Sequence, residues 1–255
     1  MPATEVPLTV TYIRASTVLI RWAGRSILTD PWFGDRMRFL PALRRPGVPL
    51  SAIPCPDLIC CSHLHADHFE PNAIRRLAGP QTVIVGPVGM RSRLKRCPGI
   101  VHEMSSDETL ETAGLMLTAW PVPHTFPPPD ELCFLLEDAN RTVFFAGDAG
   151  YGPIFRKIGT LKNIELALLP VGGSLIMGRQ TVMGPLEAYQ AALDLQARSV
   201  IPIHPGGDWP SLPPLSRHPG QTEDLVRLAD DRNAPFSVVA LSQGETTSIN
   251  TTTVP

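Results

Sequence analysis

Three histidines and one aspartate with the chemistry of metal ligands fall within six residues. They lie in the stretch Ser62-His63-Leu64-His65-Ala66-Asp67-His68, directly after an apolar run at 57–61 that we predict to be a strand. Neutral imidazole and carboxylate are ligands that zinc and similar divalent ions prefer. Side chains alternate along a strand, so His63 and His65 are expected to point to one face. The stretch therefore predicts a metal site at a strand end.

Three further side chains of ligand type share this context, because each directly follows an apolar, strand-like run. They are His124, Asp148 and His204. If the strands lie side by side, their ends form one edge and these residues converge on the cluster. Seven ligands exceed the four of a tetrahedral ion and suit two metals that share a carboxylate. Such a pair lowers the pKa of bound water from ~15.7 towards ~7, which predicts hydrolytic chemistry.

The elements that must position these residues follow from hydrophobic patterning. Strands are predicted over 7–13, 17–22, 26–29, 57–61, 82–86, 114–120, 132–138, 142–146, 165–169, 199–203, 236–241 and 245–249. Helices are predicted over 71–77, 87–95, 153–159, 185–196 and 221–232, with a Gly-rich loop at 171–184. This alternation predicts an α/β fold, in a single domain that spans residues 1–255.

Composition narrows the classes of protein to which this chain can belong. Hydrophobic residues make up 43% of the chain and charged residues 18%, as in an ordinary globular domain. A net charge of −2 and the lack of a basic track argue against nucleic acid as a partner. The five cysteines show no CxxC spacing, which favours a reducing compartment. We see no secretion signal, no apolar run of the ~18–20 residues that span a bilayer and no amphipathic docking helix, so we expect a cytoplasmic protein.

The order of the ligands resembles that of the metallo-β-lactamase superfamily. The HxHxDH tract at 63–68, followed by a histidine, a Gly-Asp pair and a last histidine after later strands, carries the resemblance. The segments 28–34, 144–151, 168–173 and 200–205 look closest to one branch of it. That branch contains N-acylphosphatidylethanolamine phospholipase D and ascorbate-phosphate lactonase. The resemblance implies a four-layer αβ/βα sandwich with the metals at one edge of two sheets.

The resemblance also implies two divalent metal ions, with zinc as the expected metal and Mn²⁺ or Fe²⁺ as alternatives. One ion would use His63, His65 and His124, and the second Asp67, His68 and His204, with Asp148 bridging. Asp67 and His68 are the predicted catalytic residues, and Asp67 would orient the nucleophilic hydroxide. Two departures, Ala149 after the Gly-Asp pair and Gly184 after Met183, affect the choice of substrate rather than the ligands.

These features predict a dinuclear metal hydrolase that cleaves a phosphodiester or an ester or lactone bond of a small anionic substrate. A nucleic-acid processing nuclease of the same superfamily and a non-catalytic metal-binding protein are the alternatives, and a homo-oligomer is left open. The arginines of the loop 36–45 could form an anion-binding rim or a solvated surface. Among weaker candidates, Arg179 could clamp a phosphate or carboxylate, and Tyr151 borders the proposed site. His218 could support the ligands or act as an acid, while Ser62 lacks the setting of a nucleophile.

Overall fold

The computed structural model describes residues 7–123 and 131–249. Its first eight strands are β1 (Leu8–Arg14), β2 (Thr17–Trp22), β3 (Arg25–Thr29), β4 (Arg36–Met37), β5 (Leu40–Pro41), β6 (Leu58–Cys60), β7 (Val83–Pro87) and β8 (Ile100–Met104). The others are β9 (Thr109–Thr112), β10 (Leu115–Pro121), β11 (Leu132–Glu137), β12 (Thr142–Phe145), β13 (Leu166–Pro170), β14 (Leu175–Ile176), β15 (Arg179–Gln180), β16 (Ser199–Ile203), β17 (Ser216–Arg217), β18 (Ser237–Val238) and β19 (Thr246–Ile249). The helices are α1 (Pro71–Leu77), α2 (Met90–Arg93), α3 (Ile154–Leu161), α4 (Pro185–Asp194) and α5 (Thr222–Asp231).

Two large sheets form the body of the molecule. The first has the strand order β19-β1-β2-β3-β6-β7-β8 and the second β18-β16-β13-β12-β11-β10-β9. Two small sheets, β15-β14-β17 and the hairpin β4-β5, lie in the connections. None of the helices in the described ranges is long and apolar enough to cross a membrane.

Strand side chains divide alternately between two kinds of apolar core. In β12, Val143 and Phe145 belong to the core shared by the two sheets, whereas Phe144 packs with residues of α3 and α4. In β6, Leu58 and Cys60 face the shared core, while Ile59 packs with residues of α1 and α2. Because strand side chains alternate between faces, each sheet is apolar on both faces and carries helices on its outer one. The resulting four-layer sandwich confirms the predicted fold class.

Parallel pairing brings several strand ends to one edge. In the first sheet β3, β6 and β7 are parallel neighbours, and in the second β12, β13 and β16 are. The carboxyl ends of parallel neighbours lie at the same side of a sheet. The residues that follow β3, β6, β12 and β16 are therefore delivered to a common edge of the sandwich.

Several predicted elements differ from those observed. The strand expected to carry His63 ends at Cys60, because the Ser62 N–H donates to the Asp30 carboxylate (2.6 Å) instead of to a neighbouring strand. The prediction that His63 and His65 share a strand face is therefore wrong. The loop 171–184 contains the hairpin β14–β15, and the predicted helix 87–95 shortens to α2. Strands β8 and β9 were not predicted.

Candidate metal centre

A tight turn after β6 brings the first histidines together. The carbonyl oxygen of His65 accepts hydrogen bonds from the N–H groups of His68 (3.1 Å) and Phe69 (2.8 Å). This turn places His63 Nε2 2.8 Å from His65 Nδ1, with the two rings edge to face. The convergence that we attributed to strand alternation thus comes from the turn.

A second group of donor atoms forms around His68. Its Nε2 lies 3.6 Å from Asp67 Oδ2, and the same carboxylate oxygen lies 3.6 Å from His204 Nε2. His204 follows β16 with a left-handed backbone (φ +50°), and its N–H donates to the carbonyl of Ala15 in the turn between β1 and β2 of the first sheet (2.8 Å). This bond between the two sheets fixes the imidazole of His204 beside the turn at 65–68.

Asp148 lies between the two groups of donor atoms. Its Oδ1 is 3.6 Å from His63 Nδ1, and its Oδ2 is 3.4 Å from His68 Nε2. The preceding Gly147 adopts φ +63°, and a Cβ there would come within 2.7 Å of the Ser62 side chain. Only glycine meets both demands without strain, so Gly147 allows β12 to deliver Asp148 into the cluster.

Six of the seven predicted ligands thus lie together at the common edge. They are His63, His65, Asp67, His68, Asp148 and His204. The seventh, His124, lies outside the described residues. The sequence-based grouping of Asp67 with His68 and His204 matches one of the clusters of donor atoms that lie within 4.8 Å of one another.

Asp30 is a buried carboxylate of this site that the sequence analysis missed. It lies just after β3 and accepts hydrogen bonds from the Ser62 hydroxyl and N–H, each 2.6 Å long. Its Oδ2 also lies 2.6 Å from His68 Nδ1, so it holds that ring with Nε2 towards the cluster. Asp30 follows a strand as Asp148 does, and this strand-end position could have marked Asp30 as a site residue. The Asp30-Pro31 pair was interpreted only as a break after the strand.

Glu131 is a second carboxylate that the sequence analysis missed. A carboxylate oxygen of Glu131 lies within 4.8 Å of ligand-type nitrogens of His63 and His65, and the side chain is 6% exposed. Burial, followed by the negative charge of Asp148, raises its pKa to about 10. Glu131 precedes β11 instead of following a strand, so no strand-end signal marks it.

Charges within the cluster hold one carboxylate ionised. Burial alone would raise the pKa of Asp67, but the nearby imidazoles of His68 and His204 outweigh it and lower that pKa. For His68, burial opposes the charged form, yet Asp148, Asp67 and Asp30 together raise its pKa well above the ordinary value. The site therefore favours positive charge at its centre.

The donor set fits divalent metal ions. Nitrogen and carboxylate oxygen from histidine and aspartate are the ligands of zinc, manganese and iron sites. The Asp30 carboxylate is bonded to Nδ1 of His68. Nε2 of His68 and both ring nitrogens of His204 are buried, and none of them has a hydrogen-bond partner among the described residues. Buried polar atoms are almost always satisfied, and a bound cation would satisfy these nitrogens. A carboxylate behind a ligand histidine is also a common feature of metal sites.

A cavity of about 780 Å³ opens onto this cluster. The predicted ligands His65, Asp67, Asp148 and His204 line it. Its walls are mainly apolar and include Met37, Leu40, Phe69, Val182 and Trp209, with Arg38 and Arg93 as the cationic lining residues. Its size suits a drug-sized organic molecule. The cavity thus joins potential metal ligands to apolar walls and two guanidinium groups.

His218 lines the cavity in a fixed, neutral state. The indole N–H of Trp209 donates to His218 Nε2 (3.1 Å), so Nδ1 carries the proton and donates to the Ser174 hydroxyl (2.8 Å). Burial, followed by the charge of His204, lowers the pKa of His218 to about 4. Trp209 in turn packs edge to face on His204 at 5.1 Å between ring centroids. This arrangement makes His218 a support for the cavity wall.

Two weaker candidates lie away from the cavity lining. The Tyr151 hydroxyl donates to Asp194 Oδ2 of α4 (2.5 Å), and its ring stacks on Phe155. Arg179 lies exposed in β15 and does not line the cavity. Neither side chain is placed to contact a molecule bound at the cluster.

Buried polar contacts hold the loop 32–44, which carries Arg38. The Arg14 guanidinium donates to the carbonyls of Trp32 (3.1 Å), Gly34 (2.8 Å) and Arg44 (3.0 Å) and lies 3.5 Å from the centroid of the Trp32 ring. Glu70 Oε2 accepts from two backbone N–H groups of the same loop. The sequence analysis left this loop without a structure, whereas these contacts make it a fixed wall.

Comparison with known proteins decides the family. The sequence model of a family described as "beta-lactamase superfamily domain" matches residues 25–205. This range includes β3 to β16 and all seven predicted ligands. The chain belongs to the metallo-β-lactamase superfamily. The predicted resemblance is therefore confirmed.

Two relatives and one solved structure illustrate the similarity. A metal-dependent hydrolase from Methanoregula boonei is 29% identical over 204 residues, which cover 76% of this chain and 83% of that protein. An N-acyl-phosphatidylethanolamine-hydrolyzing phospholipase D from Caenorhabditis elegans is 28% identical over 231 residues, or 79% of this chain and 65% of the relative. The solved structure of a metallo hydrolase from Ignicoccus hospitalis superposes with a TM-score of 0.73 at 20% identity, covering 96% of this chain and 99% of the other.

Proposed function

We propose that this protein is a dinuclear metal-dependent hydrolase that cleaves a phosphodiester or an ester or lactone bond of an anionic small molecule. The position of Asp148 carries the proposal. Its Oδ1 lies 3.6 Å from His63 Nδ1 and its Oδ2 lies 3.4 Å from His68 Nε2, so its carboxylate stands between a histidine of each proposed ligand set, where a carboxylate shared by two ions would lie. The hydrolases among its relatives support the same reaction class.

In this proposal the ligands divide as the family resemblance implies. His63 and His65 hold one ion together with His124, while Asp67, His68 and His204 hold the other, and Asp148 bridges. Glu131, beside His63 and His65, adds a carboxylate near the first ion. Zinc fits this set best, and Mn²⁺ or Fe²⁺ would also suit it. When bound, such ions lower the pKa of water and polarise an ester or phosphoryl oxygen.

The chain's own residues then orient the reactants. Asp67 lines the cavity as an ionised carboxylate, so it accepts a hydrogen bond from a water molecule and orients that water for attack. His68 is the second catalytic residue, and Asp30 fixes its ring. Arg38 and Arg93 offer guanidinium groups to an anionic substrate. Apolar walls exclude water around the scissile bond.

The two guanidinium groups favour a phosphodiester, and the apolar walls suit the acyl part of an ester or lactone. Bis-p-nitrophenyl phosphate and a panel of lactones would separate these chemistries. The purified protein loaded with zinc should bind about two equivalents of metal and turn over one of the two classes. A folded protein that binds no metal would overturn the proposal.

Substitution of His65 tests the site directly. His65→Ala should lower kcat on any accepted substrate by at least about 100-fold, as loss of a metal ligand or its support does. His102→Ala is the matched control, because His102 lies in β8, does not line the cavity, and has a half-exposed side chain 3.8 Å from Glu108. Metal binding without turnover of either class would favour the non-catalytic alternative. Equal activity of the two variants would refute the assignment of His65.

A further inference from the structure

Three loop tips around the mouth of the cavity share one pattern. The tip of the hairpin β4–β5 carries Phe39, which is 74% exposed, and the tip of β14–β15 carries Met177, which is 80% exposed. The loop before β17 carries Leu215, which is 58% exposed. We call these three tips the rim. Large apolar side chains with so much exposure are costly in water and often mark an interaction surface.

The three tips belong to one surface. Phe39 and Leu215 line the same cavity, together with Ile176, the residue before Met177. The N–H of Met177 donates to the carbonyl of Leu215 (2.8 Å), and Ile176 pairs with Ser216 across β14 and β17. The apolar side chains therefore surround the opening that leads to the metal ligands.

Each apolar tip has an exposed arginine within two residues along the chain. Arg38 precedes Phe39, while Arg179 and Arg217 follow Met177 and Leu215. None of these three arginines forms an ion pair with a carboxylate in the ranges 7–123 and 131–249. Guanidinium groups beside apolar tips are well suited to phosphate groups at a lipid surface.

Charge is concentrated on these segments. Residues 36–45, 174–180 and 210–218 contain six arginines and no aspartate or glutamate. Since the whole chain carries −2, the other residues carry a net charge of −8. An anionic surface would therefore attract the rim and repel the remainder, which orients the mouth of the cavity towards that surface.

We propose that the rim docks on an anionic lipid bilayer, with Phe39, Met177 and Leu215 inserted among the acyl chains and Arg38, Arg179 and Arg217 on lipid phosphates. The sequence analysis looked for an amphipathic helix and found none, whereas this surface is assembled from three short loops. Docking places the cavity mouth at the interface. Docking depends on the rim alone and not on the metal site.

Flotation with vesicles tests this proposal on the full chain. Vesicles of phosphatidylcholine with 30 mol% phosphatidylglycerol should bind the protein, and vesicles of pure phosphatidylcholine should bind it much less. Binding should weaken as the ionic strength rises from about 0.1 to about 0.5 M, because salt screens the arginines. Equal binding to the two vesicle types, or to neither, would overturn the proposal.

Matched variants separate the rim from general charge. The triple variant R38Q/R179Q/R217Q should lose affinity for anionic vesicles by about fivefold per arginine. The triple variant R21Q/R76Q/R198Q changes the net charge equally at exposed positions outside these segments and should bind as the wild type does. If both triple variants lose affinity equally, binding reflects net charge and the rim is not the docking surface.

The apolar tips need a separate pair of variants. Leu215→Ala should weaken vesicle binding roughly tenfold, whereas Leu161→Ala, at a residue of α3 that is 59% exposed, should leave it unchanged. Thermal melts will show that both fold. The His65→Ala protein should bind vesicles normally, so failure of the hydrolase proposal would not be mistaken for failure of docking. If light scattering shows that the rim variants instead abolish a dimer, a second copy covers the rim and the proposal is wrong.

Discussion

The carboxylate of Asp30 lies 2.6 Å from Nδ1 of His68, and both side chains are fully buried. The same carboxylate accepts two hydrogen bonds from Ser62, which begins the turn carrying the histidines. Asp30 follows β3, and His68 lies beyond the end of the neighbouring strand β6. Pairing of these two strands therefore sets the orientation of an imidazole in the metal centre.

Asp30→Asn should weaken metal binding while the fold persists. The amide keeps the shape of the carboxylate but loses its charge, and loss of such a support usually costs 10–100-fold in metal affinity. Asp57→Asn is the matched control, because Asp57 accepts the same two bonds from Ser26 at the opposite end of β3 and β6. Titration with zinc in the presence of a competing chelator measures the zinc affinity of both variants. An unchanged affinity in Asp30→Asn would show that Asp30 only holds the turn.

Sequence reasoning succeeded where a single strand determines position. Runs such as 142–146 alternate between two apolar faces and are followed closely by a ligand-type residue, so strand pairing carries Asp148 to the common edge. The helix at 71–77 was marked by proline in its first turn and is observed with those bounds. The ligand order along the chain was enough to predict the family and the four-layer sandwich.

Features that depend on contacts distant in sequence could not be predicted in this way. Glu131 joins the cluster because the Leu132 N–H donates to the Ser62 carbonyl (3.0 Å), a contact between residues 70 positions apart. The two-residue strands β4, β14 and β17 have no periodicity to detect. The part of the wall that contains β4 is held by Arg14 and Glu70, whose contacts with the loop 32–44 exist only once that loop is folded over them.

Gly147→Ala should damage the metal centre beyond the cost of its backbone conformation. A left-handed backbone costs a non-glycine residue about 1–2 kcal/mol, and the new Cβ would also come within 2.7 Å of Ser62. Gly24→Ala is the control, since Gly24 has a similar φ of +77° but no atom within 4 Å of the new Cβ. Urea unfolding of the chelated proteins should show the larger loss for Gly147→Ala, along with weaker zinc binding. Equal losses would argue against the clash.

Removal of metal should lower the stability of the folded protein. A ligand that binds only the native state at 100 times its Kd adds about 2.7 kcal/mol to the free energy of unfolding. For a chain of this size each kcal/mol moves Tm by roughly 2–4 °C. EDTA should therefore lower Tm by several degrees, and zinc should restore it where magnesium does not, because the donor set is rich in imidazole. An identical Tm in EDTA and in zinc would contradict metal binding.

Protonation of His218 should couple stability to pH in a predictable direction. Its pKa is lowered to about 4 in the folded protein by burial and the charge of His204, compared with ~6.5 in an unfolded chain. The unfolded state binds the proton first as pH falls, so this contribution is present above pH ~6.5 and is lost towards pH 4. In chelated samples, His218→Gln should therefore show a flatter dependence of the free energy of unfolding on pH than the wild type. A wild-type slope in His218→Gln would show that the bond from Trp209 does not hold His218 neutral.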